Sequence, residues 1–165
     1  MTEFEKKQSG KIYDARDSEL RSLQYRAKDL MREYNRIPAA NENEKKRVLD
    51  MLVGAAGKNV RVNQPFYVDY GSNIFIGDNS FINLNCTLLD TGKITIGKNT
   101  LIGPDVKIYT AVHAKETSER FWEEDDGAVI CENMDTACPH RGWGYGSAEA
   151  RSCCREFCLA VFFRG

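Results

Sequence analysis

Two histidines are all that the 165-residue chain contains, so a zinc centre that draws three imidazoles from one chain has too few ligands. An excess of charge of one sign is missing as well: 23 Lys and Arg stand against 24 Asp and Glu, a formal net charge of -1. Without a basic surplus to neutralise a phosphate backbone, nucleic acid is excluded as the expected partner. No apolar run approaches the ~18 residues of a membrane span. The first ten residues, Met1 to Gly10, mix both charge signs, where a secretory leader needs an apolar stretch. The expectation is therefore a cytoplasmic protein with no membrane segment. The length suits one domain with a core of its own, or a small helical cap on a larger body, and is too short for two ordinary domains.

What is present is unevenly spread. Cys86 stands alone, whereas Cys131, Cys138, Cys153, Cys154 and Cys158 crowd the end of the chain. In a cytosolic protein a disulfide framework is not expected, which leaves metal ligation or accident as the competing readings of that cluster.

Residues 1–57 read as a helical cap. From Asp17 onward, Leu20, Leu23, Ala27, Leu30, Met31 and Tyr34 recur at spacings of three and four, one side of a helix. Asp17 or Ser18 can cap its start, and Pro38 limits its continuation. A second helix fits Asn41 to Val53: Asn41 followed by Glu44 resembles a capping box, and Val48, Leu49, Leu52 and Val53 form an apolar face. Gly54 and Gly57 offer the positive φ that ends helices. Both helices need a partner surface, and a plain helical hairpin explains the pattern without any function.

Residues 58–114 change character. Ile76, Ile82, Leu88 and Ile94 lie six apart; the phase slips by two at Thr91-Gly92-Lys93, and Ile96, Ile102 and Ile108 resume the spacing. Small or branched residues stand four positions after the aliphatic ones: Ser80, Cys86, Thr100, Val106 and Val112. Period-two alternation alone would fit an ordinary sheet. A return every six residues, with tight-turn residues between, predicts a coil with three flat sides, each contributing one short strand and one aliphatic residue to a narrow core.

Three segments carry a family resemblance: Gly10-Lys11-Ile12-Tyr13-Asp14; Pro65-Phe66-Tyr67-Val68-Asp69-Tyr70-Gly71-Ser72-Asn73-Ile74-Phe75-Ile76-Gly77; and Ile94 through Pro104. With Ile108-Tyr109-Thr110-Ala111-Val112-His113, they closely resemble the maltose and galactoside O-acetyltransferases and their nodulation-type relatives, and the resemblance runs from residue 1 to about 120. It implies a mainly β fold, a left-handed parallel β-helix of hexapeptide repeats behind a small N-terminal helical cap, assembled as a homotrimer with active sites between subunits. Left-handed crossovers break the usual right-handed rule, so the handedness rests on the resemblance. It further implies acetyl-CoA as co-substrate, no metal, and a small sugar or alcohol as acceptor.

His113 matches the general base that takes a proton from the acceptor hydroxyl; an imidazole with an ordinary pKa of about 6.5 suits that task. Taken alone, a single histidine is more often structural. Asp69 and Asn83 match acceptor-contacting positions, an amide and a carboxylate suited to hydroxyl recognition. Asp90 and Asp14 match the same set less firmly, and a turn aspartate and a helix-entry residue explain them equally well.

Beyond the acceptor-site loop region, 115–126, the pattern departs. The family resumes hexapeptide coils with a Trp-Ile-Gly-Gly segment, which carry most of the coenzyme A contacts and much of the trimer surface. Residues 127–165 hold no six-residue rhythm and read as an irregular tail. In a reading frame displaced so that each codon borrows its last two letters from a visible codon, Tyr145 to Phe157 can conceal Leu-Trp-Ile-Gly-Gly-Gly-Ala-Val-Leu-Leu-Pro-Gly-Val. Glu132 to Pro139 can likewise conceal Glu-Tyr-Gly-Tyr-Gly-Leu-Pro. The expectation is that 127–165 is out-of-frame translation; a coding sequence that yields Trp-Ile-Gly-Gly in no frame would refute it. A zinc site from Cys131, Cys138, His140, Cys153, Cys154 and Cys158 lacks the paired Cys-x-x-Cys spacing of tetrahedral sites. The rival to an enzyme is a non-catalytic, truncated β-helix that only associates with related subunits.

Overall fold

The computed structural model describes residues 1–9, 11 and 13–111, and beyond them the backbone of three short strands at 121–123, 129–131 and 161–163. Helix α1, Glu3–Gln8, precedes the two helices expected from the periodicity. It is held by a capping box that the pattern Thr2-x-x-Glu5 already spells: Thr2 Oγ1 accepts from Glu5 N at 3.1 Å and Glu5 Oε2 accepts from Thr2 N at 2.9 Å. Helix α2, Ser18–Arg36, is capped by Asp17, whose carboxylate accepts from Glu19 N and Leu20 N. Helix α3, Glu42–Leu52, is capped by Asn41, one residue shorter at each end than the expected Asn41 to Val53. No helix among the described residues is long and apolar enough to cross a membrane.

From Ala55 the chain winds into a three-sided coil. Strands β1 (Ala55–Ala56), β4 (Ile74–Ile76) and β7 (Ile94–Ile96) form one face. β2 (Arg61–Val62), β5 (Phe81–Ile82) and β8 (Thr100–Ile102) form the second, and β3 (Phe66–Val68), β6 (Cys86–Leu89) and β9 (Lys107–Tyr109) the third. All of these pairings are parallel. Ala55 pairs with Phe75, Ile74 with Ile94 and Arg61 with Phe81, so one turn of the coil takes 20 residues. A hexapeptide coil of three equal sides would take 18; the two extra residues sit at one corner. The phase slip at Thr91-Gly92-Lys93 is thus a recurring feature of the coil, with its counterpart at Gly71-Ser72-Asn73 one turn below. We call this the wide corner.

Inside the prism the aliphatic residues stack in columns: Val62, Ile82 and Ile102; Val68, Leu88 and Ile108; Ile74 and Ile94; Ile76 and Ile96. Ile82 and Leu88 have no exposed surface. The small residues four positions later pack under the turns. Ser80 Oγ donates to Gly97 O at 2.7 Å and accepts from Thr100 N at 3.1 Å, and Cys86 Sγ donates to Gly103 O at 3.2 Å. The two narrow corners turn through left-handed residues, Asn59, Asn79 and Asn99 at one, Asn85 and Asp105 at the other, all with φ between 56° and 60°. Asn and Asp tolerate that region better than other side chains. Their side chains also form ladders between coils: Asn59 Nδ2 donates to Asn79 Oδ1 at 3.0 Å, and Asn79 Nδ2 to Asn99 Oδ1 at 3.3 Å. Asn79→Ala keeps the left-handed backbone without the side chain that tolerates it and severs both ladder bonds, a loss expected at about 1–3 kcal/mol and readable by denaturant unfolding.

The cap closes the lower end of the prism. Ala27, Leu30 and Tyr34 of α2 and Val48, Leu49 and Leu52 of α3 join the same core as the coil aliphatics. The partner surface that two amphipathic helices require is therefore the first turn of the coil. Polar locks fix the docking: Tyr34 Oη donates to Val62 O at 2.7 Å, and the Asn35 amide both donates to Phe66 O and accepts from Phe66 N, at 2.9 and 2.8 Å. Beyond the coil, β10 (Phe121–Glu123) and β11 (Val129–Cys131) pair as an antiparallel hairpin, and β12 (Val161–Phe163) lies antiparallel against β8.

Candidate active site at the wide corner

The wide corner needs an internal support, because two extra residues per turn leave backbone N–H groups with no strand to pair with. Asp90 supplies it. Its side chain is wholly enclosed: Oδ1 accepts from Asp69 N at 3.0 Å and Tyr70 N at 2.9 Å, and Oδ2 accepts from Asn73 N at 3.1 Å. Asn73 Nδ2 returns a bond to Asp90 O at 2.7 Å. Burial pushes the Asp90 carboxyl above the usual carboxylate range, while the N–H groups of Gly71, Tyr70, Asn73 and Asp69 pull against it. One coil higher Thr110 does the same work with a hydroxyl, accepting from Gly92 N at 2.7 Å and donating to Leu89 O at 2.8 Å. Gly71 turns the corner at φ +72°, and a Cβ there would lie 2.2 Å from Leu52 O, so only glycine allows the corner to meet the end of α3.

Asp69 stands at this corner, half-buried. Gln24 Nε2, from α2, lies 3.1 Å from Oδ1 and 3.3 Å from Oδ2, and Thr91 Oγ1 donates to Oδ2 at 3.4 Å. Helix α1 and the segment after it cover the same side: Gln8 Nε2 donates to Asn73 Oδ1 at 3.2 Å, the Lys7 ammonium sits 3.9 Å above the Tyr70 ring, and buried Tyr13 packs with Tyr70 and Leu20. Asp14 follows Tyr13. Its carboxylate grips Arg16 with Oδ1–Nε at 3.0 Å and Oδ2–Nη2 at 3.1 Å, and that hydrogen bond holds its pKa below the usual range.

The structure thus brings Asp69 and Asp90 together, with Asp90 underneath and without exposed atoms, while Asp14 follows Tyr13, which packs against Tyr70, and pairs its carboxylate with Arg16. Asn83 is elsewhere, at the narrow corner between β5 and β6, where its Oδ1 accepts from Asn63 Nδ2 at 3.2 Å and Leu84 N at 2.8 Å. His113 lies outside the described residues; the chain is described up to Thr110 and Ala111, in the third turn of the wide corner. Cys138, His140, Cys153, Cys154 and Cys158 lie outside them too, and Cys131 is described only as backbone. Among the described residues no group of three or more His, Cys, Asp or Glu could hold a metal ion. Burial raises the pKa of the Cys86 thiol. Gln24, Thr91 and Thr110 did not stand out in the sequence: the first is one polar residue on a helix, and the others gain meaning only when the 20-residue register sets them beside Asp69 and Gly92.

A three-sided coil with a polar, helix-covered wide corner defines a hexapeptide-repeat β-helix protein of the capped type. A sequence model of the maltose acetyltransferase hexapeptide capping motif matches residues 6–57. Nodulation protein L of Rhizobium meliloti is 36% identical over 119 residues, covering 72% of this chain and 65% of the relative. A maltose O-acetyltransferase from Clostridium difficile 630 superposes with a TM-score of 0.71 at 37% identity, over 79% of this chain and 68% of that one. A hexapeptide-repeat acetyltransferase from Vibrio cholerae, crystallised with acetyl coenzyme A, superposes with a TM-score of 0.66 at 35% identity over the same shares. The chain belongs to the maltose O-acetyltransferase family of hexapeptide-repeat acetyltransferases, and its coil is the left-handed β-helix of that family. It spans 58% and 65% of the length of the first two curated relatives it matches.

Proposed function

We propose that this chain carries the acceptor half of an O-acetyltransferase, which transfers acetyl from acetyl-CoA to a hydroxyl of a sugar or similar small acceptor. The observation that carries the reading is the half-buried Asp69 carboxylate, bonded by Gln24 at a corner that the cap helices cover. A carboxylate accepts hydrogen bonds and donates none, so it suits a ligand rich in hydroxyl donors. In this reading Asp69 orients the acceptor, Asp14 borders the same surface, and Asp90 keeps the Asp69 loop in shape from below. His113, three residues beyond Thr110, is the general base: its imidazole removes the hydroxyl proton as the oxygen attacks the thioester carbonyl, the C–S bond breaks, and the proton passes to the departing thiolate. Asn83 belongs to the site through assembly. Asn83 and Asp69 occupy different corners of one prism, and a homotrimer in the cytoplasm would bring the Asn83 corner of one subunit toward the Asp69 corner of the next.

Residues 127–165 do not continue the rhythm that coenzyme A-binding coils need, so the 165-residue product is expected to turn over slowly while its acceptor corner stays intact. The test is release of free coenzyme A thiol from acetyl-CoA with maltose, galactosides or glucose. We expect little release by this chain and steady release by a frame-restored version carrying the Trp-Ile-Gly-Gly coils. Robust turnover by the mass-verified short chain would refute the impairment, and an inactive, folded restored chain would refute the activity.

A further inference from the structure

We infer that Gln24 is a positioning residue for Asp69, holding its carboxylate from the cap in the orientation that receives an acceptor hydroxyl; the inference rests on the acceptor role proposed above. Gln24 is anchored by its helix. Leu20, one turn earlier, is wholly buried and Ala27 nearly so, which fixes the face of α2 from which the half-buried amide projects. Its Nε2 is nearly equidistant from the two carboxylate oxygens, at 3.1 and 3.3 Å, and so restrains rotation of the whole group. Asp90 meanwhile fixes Asp69 from behind through its backbone N–H. Backbone and head group are thus held by two different parts of the fold.

The donors are chosen in kind as well as in place. Gln24 and Thr91 are both neutral, so among the described residues the side chains that orient Asp69 form no ion pair with it and leave lone pairs for a ligand. An Arg or Lys in that place would instead make a charge-assisted bond and compete with the ligand. Because Gln24 belongs to the cap and Asp69 to the coil, the acceptor surface is completed only when the two are docked, which gives the capping helices a part in recognition beyond closing the core.

The test is an NMR titration of the full 165-residue chain with maltose, comparing Gln24→Ala, Gln24→Glu, Asp69→Ala and, as a control on the exposed side of the same helix, Arg26→Ala. Gln24→Ala is expected to weaken maltose binding about tenfold, the scale of a lost hydrogen bond to a charged group. Gln24→Glu, the same shape with an acceptor facing an acceptor, should weaken it at least as much, while Arg26→Ala leaves it unchanged and all four variants keep the wild-type circular dichroism. If Asp69→Ala abolishes binding while both Gln24 variants bind as wild type, the positioning role is overturned and the acceptor role stands. If Asp69→Ala binds as wild type, or the wild-type chain binds no maltose, the acceptor role falls and this inference with it.

Discussion

Replacing His113 with alanine in the frame-restored protein should lower acetyl transfer by about 10² to 10⁴, the range that a positioned general base contributes. The loss should fall on turnover, with the acceptor's binding little changed, because in the proposed arrangement Asp69 rather than the imidazole orients the sugar. Measured at saturating acetyl-CoA, the variant should keep its KM for the acceptor and its oligomeric state while kcat collapses. Turnover within twofold or so of the parent would remove His113 from the chemistry, and a variant that no longer assembles would give it a structural role instead.

Asp90→Ala should be the most damaging single change within the described coil, at about 3–5 kcal/mol, because it strands two buried N–H groups and one part-buried N–H at once and unsatisfied buried donors cost about 1–3 kcal/mol each. Those donors are Asp69 N, Tyr70 N and Asn73 N, and all three belong to the wide corner. The loss should be visible as a lower urea midpoint with an unchanged slope, and as weakened maltose binding through the loosened Asp69 loop. A midpoint near that of the wild type would mean that water replaces the carboxylate without penalty. Asp90 also sets a pH dependence. Its folded pKa is raised above the ordinary 3.8, so the stability tied to its neutral form is fully present below that ordinary value and is lost as pH rises through the folded pKa. Asp90→Asn, neutral at every pH, should flatten that part of the stability profile.

Much of this architecture is legible in the sequence because it repeats. The six-residue return of Ile76, Ile82 and Leu88, one to each face, announces a three-sided coil, and Asp17 and Asn41 announce the starts of two helices by capping chemistry. The 20-residue turn was harder to see. A single phase slip at Thr91-Gly92-Lys93 looks like an isolated loop until strand pairing shows Ile74 beneath Ile94, and only then does Gly71-Ser72-Asn73 become its counterpart. Helix α1 escaped because six residues are too few for periodicity, although its capping box was in view. The acidic residues divide in the same way. Asp69 and Asp90 look alike in sequence, both following an aliphatic strand, yet one carboxylate is bonded by the Gln24 side chain of the cap and the other is enclosed on backbone N–H groups. That difference comes from long-range register, and no local pattern contains it.

The most direct measurement is the identity of the product. Incubated with acetyl-CoA and maltose, the frame-restored protein is predicted to yield monoacetylated maltose by mass spectrometry, and its Asp69→Ala variant almost none. Acetyl-CoA consumed without any acetylated sugar, or equal yields from parent and variant, would contradict the assignment of the wide corner as the acceptor site.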